Sequence, residues 1–532
     1  MIGVLHPVMR PLSAPLGHAM AAAARRHPGT IGTPGKVGFG VGIAPGQAHA
    51  LGYTPLPGCY DRFSPNYGNY AYTDGSIMVW VPAFRMRLAS PDSPRYALYG
   101  ANCVDVLPVT AHASEAAANA EGFYLHRAFI HAGVVQPGFF YDKYKCSNNA
   151  GVASSLFMGI PLVASPQAGQ VGFASLDGAP AANLSGSIAA ARTRGPQFFP
   201  ATVFMRDALA VLAMAHAQAA TSTDACAWHD PAGVRNFPLG CNSNALSDIN
   251  DTSLTFTSAG SSAQPNMPLT GSASVLAKTT HNGQACGIAD VNGTTWDVNP
   301  GVTTIVATKN ISGATRTNPV TLTVAAHGLT TGAIVQAVSM ANAGMTQLQD
   351  RLFQITVVDD DTISLDGVNG TAFGEYTTGG QIRCNARFYA LKPSVDITTV
   401  TAGNSGATDL WGANGVAALY DEITPTPWRT DYSNNGPGQR YGNGAAQAFG
   451  WDTADARLLT MSGFPLAGAI SPAGVALFGQ DYFYQFFVDM LFVLSGGNWA
   501  DGAGAGVRAR SLSNARAYAA YSVGFVAASY LT

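Results

Sequence analysis

The sequence contains few charged residues. Asp, Glu, Lys and Arg make up 11% of the 532 residues, whereas ordinary soluble domains contain about 25%. The formal net charge is −3, and acidic and basic residues are mixed along the chain. Proteins that bind nucleic acid carry a clustered basic face. The charge pattern therefore argues against nucleic acid as a main partner.

The sequence also lacks a segment that would insert into a membrane. No continuous apolar run follows the N-terminus, so we predict no secretory signal. The most apolar helical stretch, residues 203–220, contains Arg206, Asp207 and His216. It is too short and too polar to cross a bilayer. We predict a buried amphipathic helix there and no membrane insertion.

Motifs for metal binding and catalysis are missing as well. There is no CxxC pair and no Cys–His spacing typical of zinc, so we predict buried free thiols. There is no HExxH helix, no phosphate-binding glycine loop and no GxSxG elbow. The seven cysteines are Cys59, Cys103, Cys146, Cys226, Cys241, Cys286 and Cys384.

Isolated acidic residues and histidines do not change this interpretation. The acidic run 359–361 is more typical of a solvated hairpin turn than of a calcium site, whose ligands alternate and converge. His229 and Asp230 precede a Pro–Gly turn, where capping is the simpler role. We predict ordinary hydrogen bonding for the isolated histidines, and no metal ion, cofactor or catalytic centre. These histidines are His126, His131 and His281.

Glycine and proline are abundant, with 60 and 31 residues, which indicates a chain rich in strands and turns. Residues 1–60 contain many of them and one short helical patch at 19–26, so we predict an N-terminal arm for attachment or oligomerisation. Aromatic and β-branched runs predict strands in the ranges 76–88, 122–133 and 138–147. Together with the predicted helix, this pattern favours an α+β fold.

A different texture begins near residue 302 and ends near 384. Residues 317–340, 351–368 and 379–384 alternate apolar and polar positions between Gly and Asp turns, as half-buried strands do. Within this stretch, a turn at 343–350 is the one segment with a helical signal. We predict a small β-barrel or sandwich inserted into a larger domain.

Three stretches resemble a known family: GIADVNGTTWDV (287–298), SGGNWADGAGAGVRARSLSNAR (495–516) and VGF (523–525). They resemble the formylglycine-generating-enzyme-like branch of the C-type lectin fold, which phages use at fibre tips. Val526 departs from the pattern, because the family usually has Arg there. The matching residues are Asn292, Gly293, Trp296, Gly496, Gly497, Trp499, Gly502, Gly506, Ala515, Arg516, Gly524 and Phe525.

The resemblance implies a C-type-lectin-like main domain in two parts, residues 61–301 and 385–532. The inserted stretch 302–384 is itself similar to a small β module of phage tail and fibre proteins. Oxidases of the branch need a reactive cysteine pair near the C-terminus, because thiolates are both the copper ligands and the reactive groups. No cysteine follows Cys384. We therefore predict that the chain is not an enzyme.

The resemblance also implies that the C-terminal segment 495–532 divides into buried scaffold and displayed positions. We expect Tyr518 and Tyr521 at the centre of a receptor contact, with charged residues at its rim. Tyr offers contact area at low entropic cost, while Ser and Asn hydrogen-bond adaptably. The alternative, in which both tyrosines only cap the core, stays open. The scaffold positions are Trp499, Leu512, Ala515, Val523 and Phe525; the displayed ones are Asn498, Asp501, Arg508, Arg510, Ser513, Tyr518, Tyr521 and Ser522.

These inferences predict a phage tail-fibre or tail-tip protein that attaches the virion to a bacterial surface protein or glycan. The alternative is a structural virion protein, either a head decoration or a fibre-assembly subunit. Fibre tips of the family are trimers, so the resemblance implies a homotrimer that contacts other tail proteins outside the cell. In relatives, a diversity-generating retroelement varies the displayed positions.

Overall fold

The computed structural model describes residues 30–229, 267–400, 416–423, 438–444, 446–475 and 480–531, with the backbone of 241–242 and 245–246. The protein is a mixed α+β structure that consists mostly of sheets with few helices, in agreement with the predicted class. The predicted helical patch at 19–26 lies outside the described residues.

The helices are α1 Tyr96–Tyr99, α2 Glu115–Ala120, α3 Gly186–Arg192, α4 Val203–Ala219, α5 Val416–Leu419 and α6 Ala454–Thr460. The strands of the first half are β1 Thr54–Pro55, β2 Asn69–Ala71, β3 Ile77–Pro82, β4 Phe84–Leu88, β5 Val104–Pro108, β6 Tyr124–Leu125, β7 Ile130–His131, β8 Val134–Val135, β9 Gly138–Asp142, β10 Cys146–Asn149, β11 Val152–Ser155, β12 Leu162–Val163, β13 Val171–Gly172, β14 Phe199–Pro200, β15 Cys241–Asn242 and β16 Ala245–Leu246. Those of the second half are β17 Trp296–Asn299, β18 Val302–Asn310, β19 Gly313–Ala314, β20 Thr321–Thr323, β21 Ile334–Val338, β22 Leu352–Asp359, β23 Thr362–Leu365, β24 Gln381–Leu391, β25 Tyr420–Ile423, β26 Gly438–Tyr441, β27 Ile470–Ser471, β28 Tyr482–Gln485, β29 Leu491–Ser495, β30 Arg510–Ala515, β31 Val523–Gly524 and β32 Ala527–Ser529.

Helix α4 is the central helix of the main body. Thr202 caps it, because its hydroxyl accepts a hydrogen bond from the Met205 N–H at 3.2 Å. The prediction of a helix at 203–220 is confirmed, but its amphipathic character is wrong. Almost every residue of α4 is buried, including the polar Arg206, Asp207 and His216, and a helix enclosed on all sides shows no apolar stripe.

The first sheet has six strands in the order β1-β2-β3-β9-β32-β14. The predicted strand run 76–88 forms β3 and β4, which are separated at Ala83. Strand β32, near the end of the chain, hydrogen-bonds between β9 and β14. The last described strand is therefore part of the same sheet as the first.

Residues 30–60 belong to this body, which corrects the predicted N-terminal arm. Ile31, Phe39, Val41 and Tyr53 are buried in the main core, and β1 pairs with β2. Burying such large apolar side chains is strongly favourable, so this stretch packs instead of extending. The prediction of an arm now concerns only residues 1–29, which lie outside the described residues.

The second sheet has seven strands in the order β27-β26-β28-β30-β29-β17-β31. The C-terminal segment supplies β30, which lies between β28 and β29, and β31, which pairs in parallel with β17. Helix α4 faces one side of this sheet through contacts such as Arg206 with Asp297. We call that side the inner face and the opposite side the outer face.

The third sheet contains the segment that we predicted to be inserted. Its order is β18-β24-β21-β22-β23-β20-β19, and β25 pairs with β24. The long strands β18 and β24 join two cores: Val302 and Phe388 pack in the main core, whereas Ala307 and Ile382 pack in a second cluster. That second cluster draws its buried members from residues 311–384 alone. The predicted turn at 343–350 contains a short 3-10 turn, Thr346–Leu348.

Six cysteines are buried free thiols, as predicted: Cys59, Cys103, Cys146, Cys226, Cys286 and Cys384. Among the helices of the described ranges, none has the length and apolarity that a bilayer crossing requires.

Candidate functional site

The structure places the eight predicted display residues in three environments. One side chain, Tyr518, is exposed, with 42% of its surface accessible. Four are half-buried and three are buried. The half-buried residues are Asp501, Ser513, Tyr521 and Ser522; the buried ones are Asn498, Arg508 and Arg510.

Arg508 and Arg510 do not lie on the surface, so their predicted place at the rim of a contact is wrong. Both guanidinium groups lie on the inner face, near the carboxylate of Asp207 in α4. The distances from Asp207 Oδ1 are 3.8 Å to Arg508 Nη1 and 4.0 Å to Arg510 Nη2. Buried cations need an opposite charge, and Asp207 supplies it. For Arg510, strand alternation places it with Leu512 on the inner side of β30, while Ser511 and Ser513 share the other side, where Ser511 is also buried.

These arginines belong to a larger buried network of charges, which we call the ionic core. Lys145 Nζ lies 2.6 Å from Asp297 Oδ1, and Arg206 Nη1 lies 3.2 Å from Asp297 Oδ2. His126 Nε2 lies 3.2 Å from Asp207 Oδ2. All of these side chains are buried. The ionic core therefore ties β17, β30 and α4 together beneath the C-terminal segment.

Asp481 extends the ionic core to the loop before β30. Its carboxylate accepts a hydrogen bond from the Arg508 N–H at 2.8 Å, and the loop passes so close that a Cβ at Gly506 would collide with it. Burial raises the pKa of Asp481 to about 7, although the Arg508 N–H and nearby arginines oppose this shift. Gly506 thus lets the backbone reach a buried carboxyl group.

Asn498 holds the turn after β29 instead of facing outward, so its predicted display is also wrong. Its Oδ1 accepts a hydrogen bond from the Ala500 N–H at 2.7 Å, and its own N–H donates to Asp501 Oδ2 at 2.7 Å. This reciprocal pattern is typical of Asn and Asp in turns. The turn leaves Asp501 half-buried, where its carboxylate accepts a further hydrogen bond from Trp296 and burial raises its pKa.

The outer face carries an aromatic group that we did not predict as a site. In β28, Tyr482 and Tyr484 are half-buried, whereas the alternate residues Phe483 and Gln485 are buried. The two tyrosine rings lie 4.9 Å apart between centroids. The guanidinium of Arg440, on the neighbouring β26, lies 4.4 Å from the centre of the Tyr482 ring.

Polar groups surround these rings. Tyr484 is the register partner of Ser511 in β30, and the hydroxyls of Ser511 and Ser513 are 2.6 Å apart. Burial raises the pKa of Tyr484, and Tyr482 and Asp501 raise it further. We define the aromatic face as the side chains of Arg440, Tyr482, Tyr484, Asp501, Ser511 and Ser513.

Gly504 explains how the loop after β29 fits against this face. Its backbone passes the Tyr482 ring so closely that a Cβ would overlap three ring carbons. The ring is therefore fixed between this loop and Arg440. Aromatic rings held in this way lose little entropy on binding.

Tyr518 and Tyr521 lie in the turn between β30 and β31, which we call the tyrosine turn. The Tyr518 carbonyl accepts a hydrogen bond from the Leu184 N–H at 2.9 Å, so the turn is anchored while its ring stays exposed. Tyr521 packs at 6.2 Å on the buried ring of Trp499, in a small cluster with Val163 and Met267. Tyr521 thus takes part in packing, as the open alternative held, and Tyr518 does not.

Ser522 contributes mainly backbone to this region. Its carbonyl accepts a hydrogen bond from the Trp296 N–H at 2.9 Å. Ala500 and Tyr521 both pack against the cluster of Val163, Met267 and Trp499, and the charge of the neighbouring Asp501 helps to raise the pKa of Tyr484. The loop at 500–501 therefore connects the tyrosine turn to the aromatic face.

Sequence reasoning missed Tyr482, Tyr484 and Arg440. In the stretch YFYQF (482–486), Tyr482, Tyr484 and Phe486 occupy every second position, which is typical of one face of a strand. Arg440 carries no comparable signal, because its place beside Tyr482 depends on the pairing of β26 with β28.

The groups set aside as non-catalytic have ordinary partners. His131 pairs with Asp396 at 3.3 Å, and His281 is hydrogen-bonded to the Gly40 carbonyl at 3.1 Å. The acidic run 359–361 is exposed at a turn. His229 lies at the edge of the described residues, and Asp230 lies outside them. Within the ranges that the structure describes, no three His, Cys, Asp or Glu side chains converge as metal ligands.

The sequence was compared with protein-family models and with curated proteins. No protein-family model matches the sequence, and no curated protein is significantly similar to it. The function of this chain is therefore inferred from the geometry of its described residues.

Proposed function

We propose that this chain is a receptor-binding protein of a phage tail fibre or tail tip, with a C-type-lectin-like main domain and an inserted β module. Its role is to attach the virion to a protein or glycan on the bacterial surface. The aromatic face and the tyrosine turn form the recognition surface. The chain acts by binding and not as an enzyme.

The aromatic face is the single observation that carries this proposal. It presents two partly accessible tyrosines beside an arginine, a carboxylate and the Ser513 hydroxyl, which shares a hydrogen bond with the buried Ser511. Binding surfaces favour such a composition, since Tyr and Arg dominate binding energy while Ser adapts its hydrogen bonds. The rings are held by a sheet and by Gly504, so little order has to be gained on binding.

Assembly and location follow from the same proposal. A homotrimer would present three such surfaces, and several weak sites on one particle raise apparent affinity by roughly 10²–10⁴. Contacts with other tail proteins would fix the trimer to the virion, outside the host cell. Variation by a retroelement would fall on outward residues such as Ser513 and Tyr518, while Arg508 and Arg510 would stay constant.

Adsorption of the purified full-length protein to host cells tests the proposal. We expect saturable binding that competes with adsorption of the phage. The matched variants are Tyr484→Ala on the aromatic face and Tyr376→Ala in the inserted module, where the hydroxyl bonds backbone carbonyls. Loss of binding in the first alone supports the proposal.

A structural virion protein is the competing function. In that case the protein would not bind cells, and particles lacking it would fail to assemble instead of failing to adsorb. Assembled particles that keep normal adsorption without this protein would refute the receptor-binding proposal.

A further inference from the structure

The inserted module makes an unusual contact with the chain that follows the aromatic strand. Gln336 lies in β21 and Arg383 lies in β24, and the two are direct register partners. Gln336 Oε1 accepts a hydrogen bond from the Phe487 N–H at 2.9 Å. Arg383 Nη1 donates to the Phe487 carbonyl at 2.8 Å. Both backbone polar groups of one residue are thus satisfied by a pair of side chains from the module.

This arrangement replaces a strand partner. A backbone N–H and C=O normally pair with a neighbouring strand, and leaving them unpaired in a buried place is costly. Strand β28 ends at Gln485, two residues before Phe487. Gln485 and Leu512 are also the last pair of the ladder between β28 and β30. Gln336, which is fully buried, and Arg383 pair with the backbone two residues beyond this end. We call this pair the module clamp.

Neighbouring contacts hold the rest of the β28–β29 connection. The Thr304 hydroxyl donates to the Val488 carbonyl. Asp489 Oδ1 accepts a hydrogen bond from the Val306 N–H at 3.1 Å, and the Met490 N–H donates to the Thr304 carbonyl at 3.0 Å. Strand β18 therefore holds residues 488–490, while the clamp connects β21 and β24 of the module to the backbone of residue 487.

We propose that the inserted module positions the aromatic face, with Gln336 and Arg383 as the positioning residues. The clamp fixes the backbone two residues beyond β28 and so sets the height and angle at which Tyr482 and Tyr484 leave the sheet. This inference rests on the proposed receptor binding for its consequence. It assigns the module a task in recognition beyond that of a spacer.

Two measurements on full-length protein test the clamp. The variant is Gln336→Ala with Arg383→Ala, and its control is Gln354→Ala with Arg316→Ala, two exposed positions of the same module. We expect amide exchange at Phe487 to become at least about tenfold faster and cell affinity to fall about tenfold, as two lost hydrogen bonds imply. The control variant should match the wild type in both.

A conservative substitution separates positioning from general stability. Arg383→Lys keeps a donor for the Phe487 carbonyl and leaves Gln336 in place, whose Nε2 donates to the Asp350 carbonyl at 3.0 Å. We expect this variant to keep slow exchange at Phe487 and most of the affinity. If the double alanine variant melts early, Arg383→Ala alone tests the carbonyl half of the clamp through cell affinity, because that side chain is only half-buried and the Phe487 N–H keeps Gln336 as its acceptor.

The outcomes remain distinguishable from failure of the proposed function. Unchanged Phe487 exchange in the alanine variant would overturn the clamp, whatever the protein binds. Faster exchange with unchanged cell affinity would overturn the positioning role. If the wild-type protein does not bind cells, receptor binding fails, and the exchange measurement still decides whether the clamp exists.

Discussion

The two faces of the second sheet have opposite chemistry although they are built from the same strands. On the inner face, Arg510 and Asp297 are fully buried and are neutralised by opposite charges. On the outer face, Tyr484 and Ser513 remain partly accessible. The polar residues of the C-terminal segment therefore have two different tasks. Inner ones hold the segment in place, and outer ones are available to a partner.

This division leads to different expectations for substitutions one residue apart. A change on the inner face should reduce the free energy of unfolding, with binding falling only as folded protein is lost. A change on the outer face should reduce binding of protein that is still folded.

The largest effect is expected for Asp207→Ala. This change removes the carboxylate that faces His126, Arg508 and Arg510, and breaking a buried pair costs about 3–5 kcal/mol because the remaining charge is left uncompensated. Denaturant unfolding measures the loss. Asp360→Ala, at an exposed turn, serves as the control and should unfold like the wild type. A normal midpoint for Asp207→Ala would show that the ionic core does not support the sheet.

A similar loss is expected for Trp499→Ala, whose ring is fully buried. Truncating a buried indole costs roughly 3–5 kcal/mol, and it also removes the support of Tyr521. The comparison variant is Tyr518→Ala, which should leave the melting temperature nearly unchanged and weaken adsorption. If Tyr518→Ala melts as early as Trp499→Ala, the tyrosine turn belongs to the core and is not a display position.

Asp481 gives a smaller, pH-dependent effect. Burial raises its pKa from 3.8 to about 7, so above about pH 4 the folded protein keeps a proton that the unfolded chain releases. Its contribution to stability is therefore complete below about pH 4 and is lost as the pH rises towards 7.

Asp481→Asn isolates this contribution, because it removes only one titrating group. The pKa values of His216 and His281, lowered to about 4 by burial, act in the opposite direction and remain in both proteins. Melting temperatures should show the variant gaining on the wild type from pH 5 to pH 8. A constant difference between the two proteins across this range would contradict the raised pKa.

The smallest effect is expected for Ser513→Ala. Its hydroxyl shares a hydrogen bond with Ser511 at 2.6 Å, and an accessible hydroxyl of this kind contributes about 0.5–1.5 kcal/mol at most. Adsorption should weaken slightly, and the free energy of unfolding should fall by no more than about 1.5 kcal/mol. A large loss of stability would move Ser513 from the outer group to the inner one.

Some of this organisation was predictable from the sequence. The central helix was evident because residues 203–220 are a long run of helix-forming residues, which begins directly after the cap Thr202. The strands of residues 302–384 were evident because each alternates apolar and polar positions between turns. Both signals are local, so they can be recognised without knowledge of the tertiary structure.

The assignment of Arg508 and Arg510 failed for a physical reason. From the sequence alone, an arginine is expected to be exposed. Only the position of Asp207, about 300 residues earlier in the chain, makes the burial of these two side chains possible. The same limit hid Arg440, whose place beside Tyr482 depends on strand pairing. Long-range electrostatic pairs leave no pattern within a short window.

The most direct test of the account combines two measurements on Tyr482→Ala with Tyr484→Ala in the full-length protein. We predict that binding to host cells weakens by more than about 2 kcal/mol, as for central aromatic contacts, while the protein stays folded at the assay temperature. The matched variant Arg510→Met should lose stability but keep wild-type affinity per folded molecule. If the tyrosine pair can be removed without loss of binding, or if Arg510→Met abolishes binding by folded protein, the outer face is not the recognition surface.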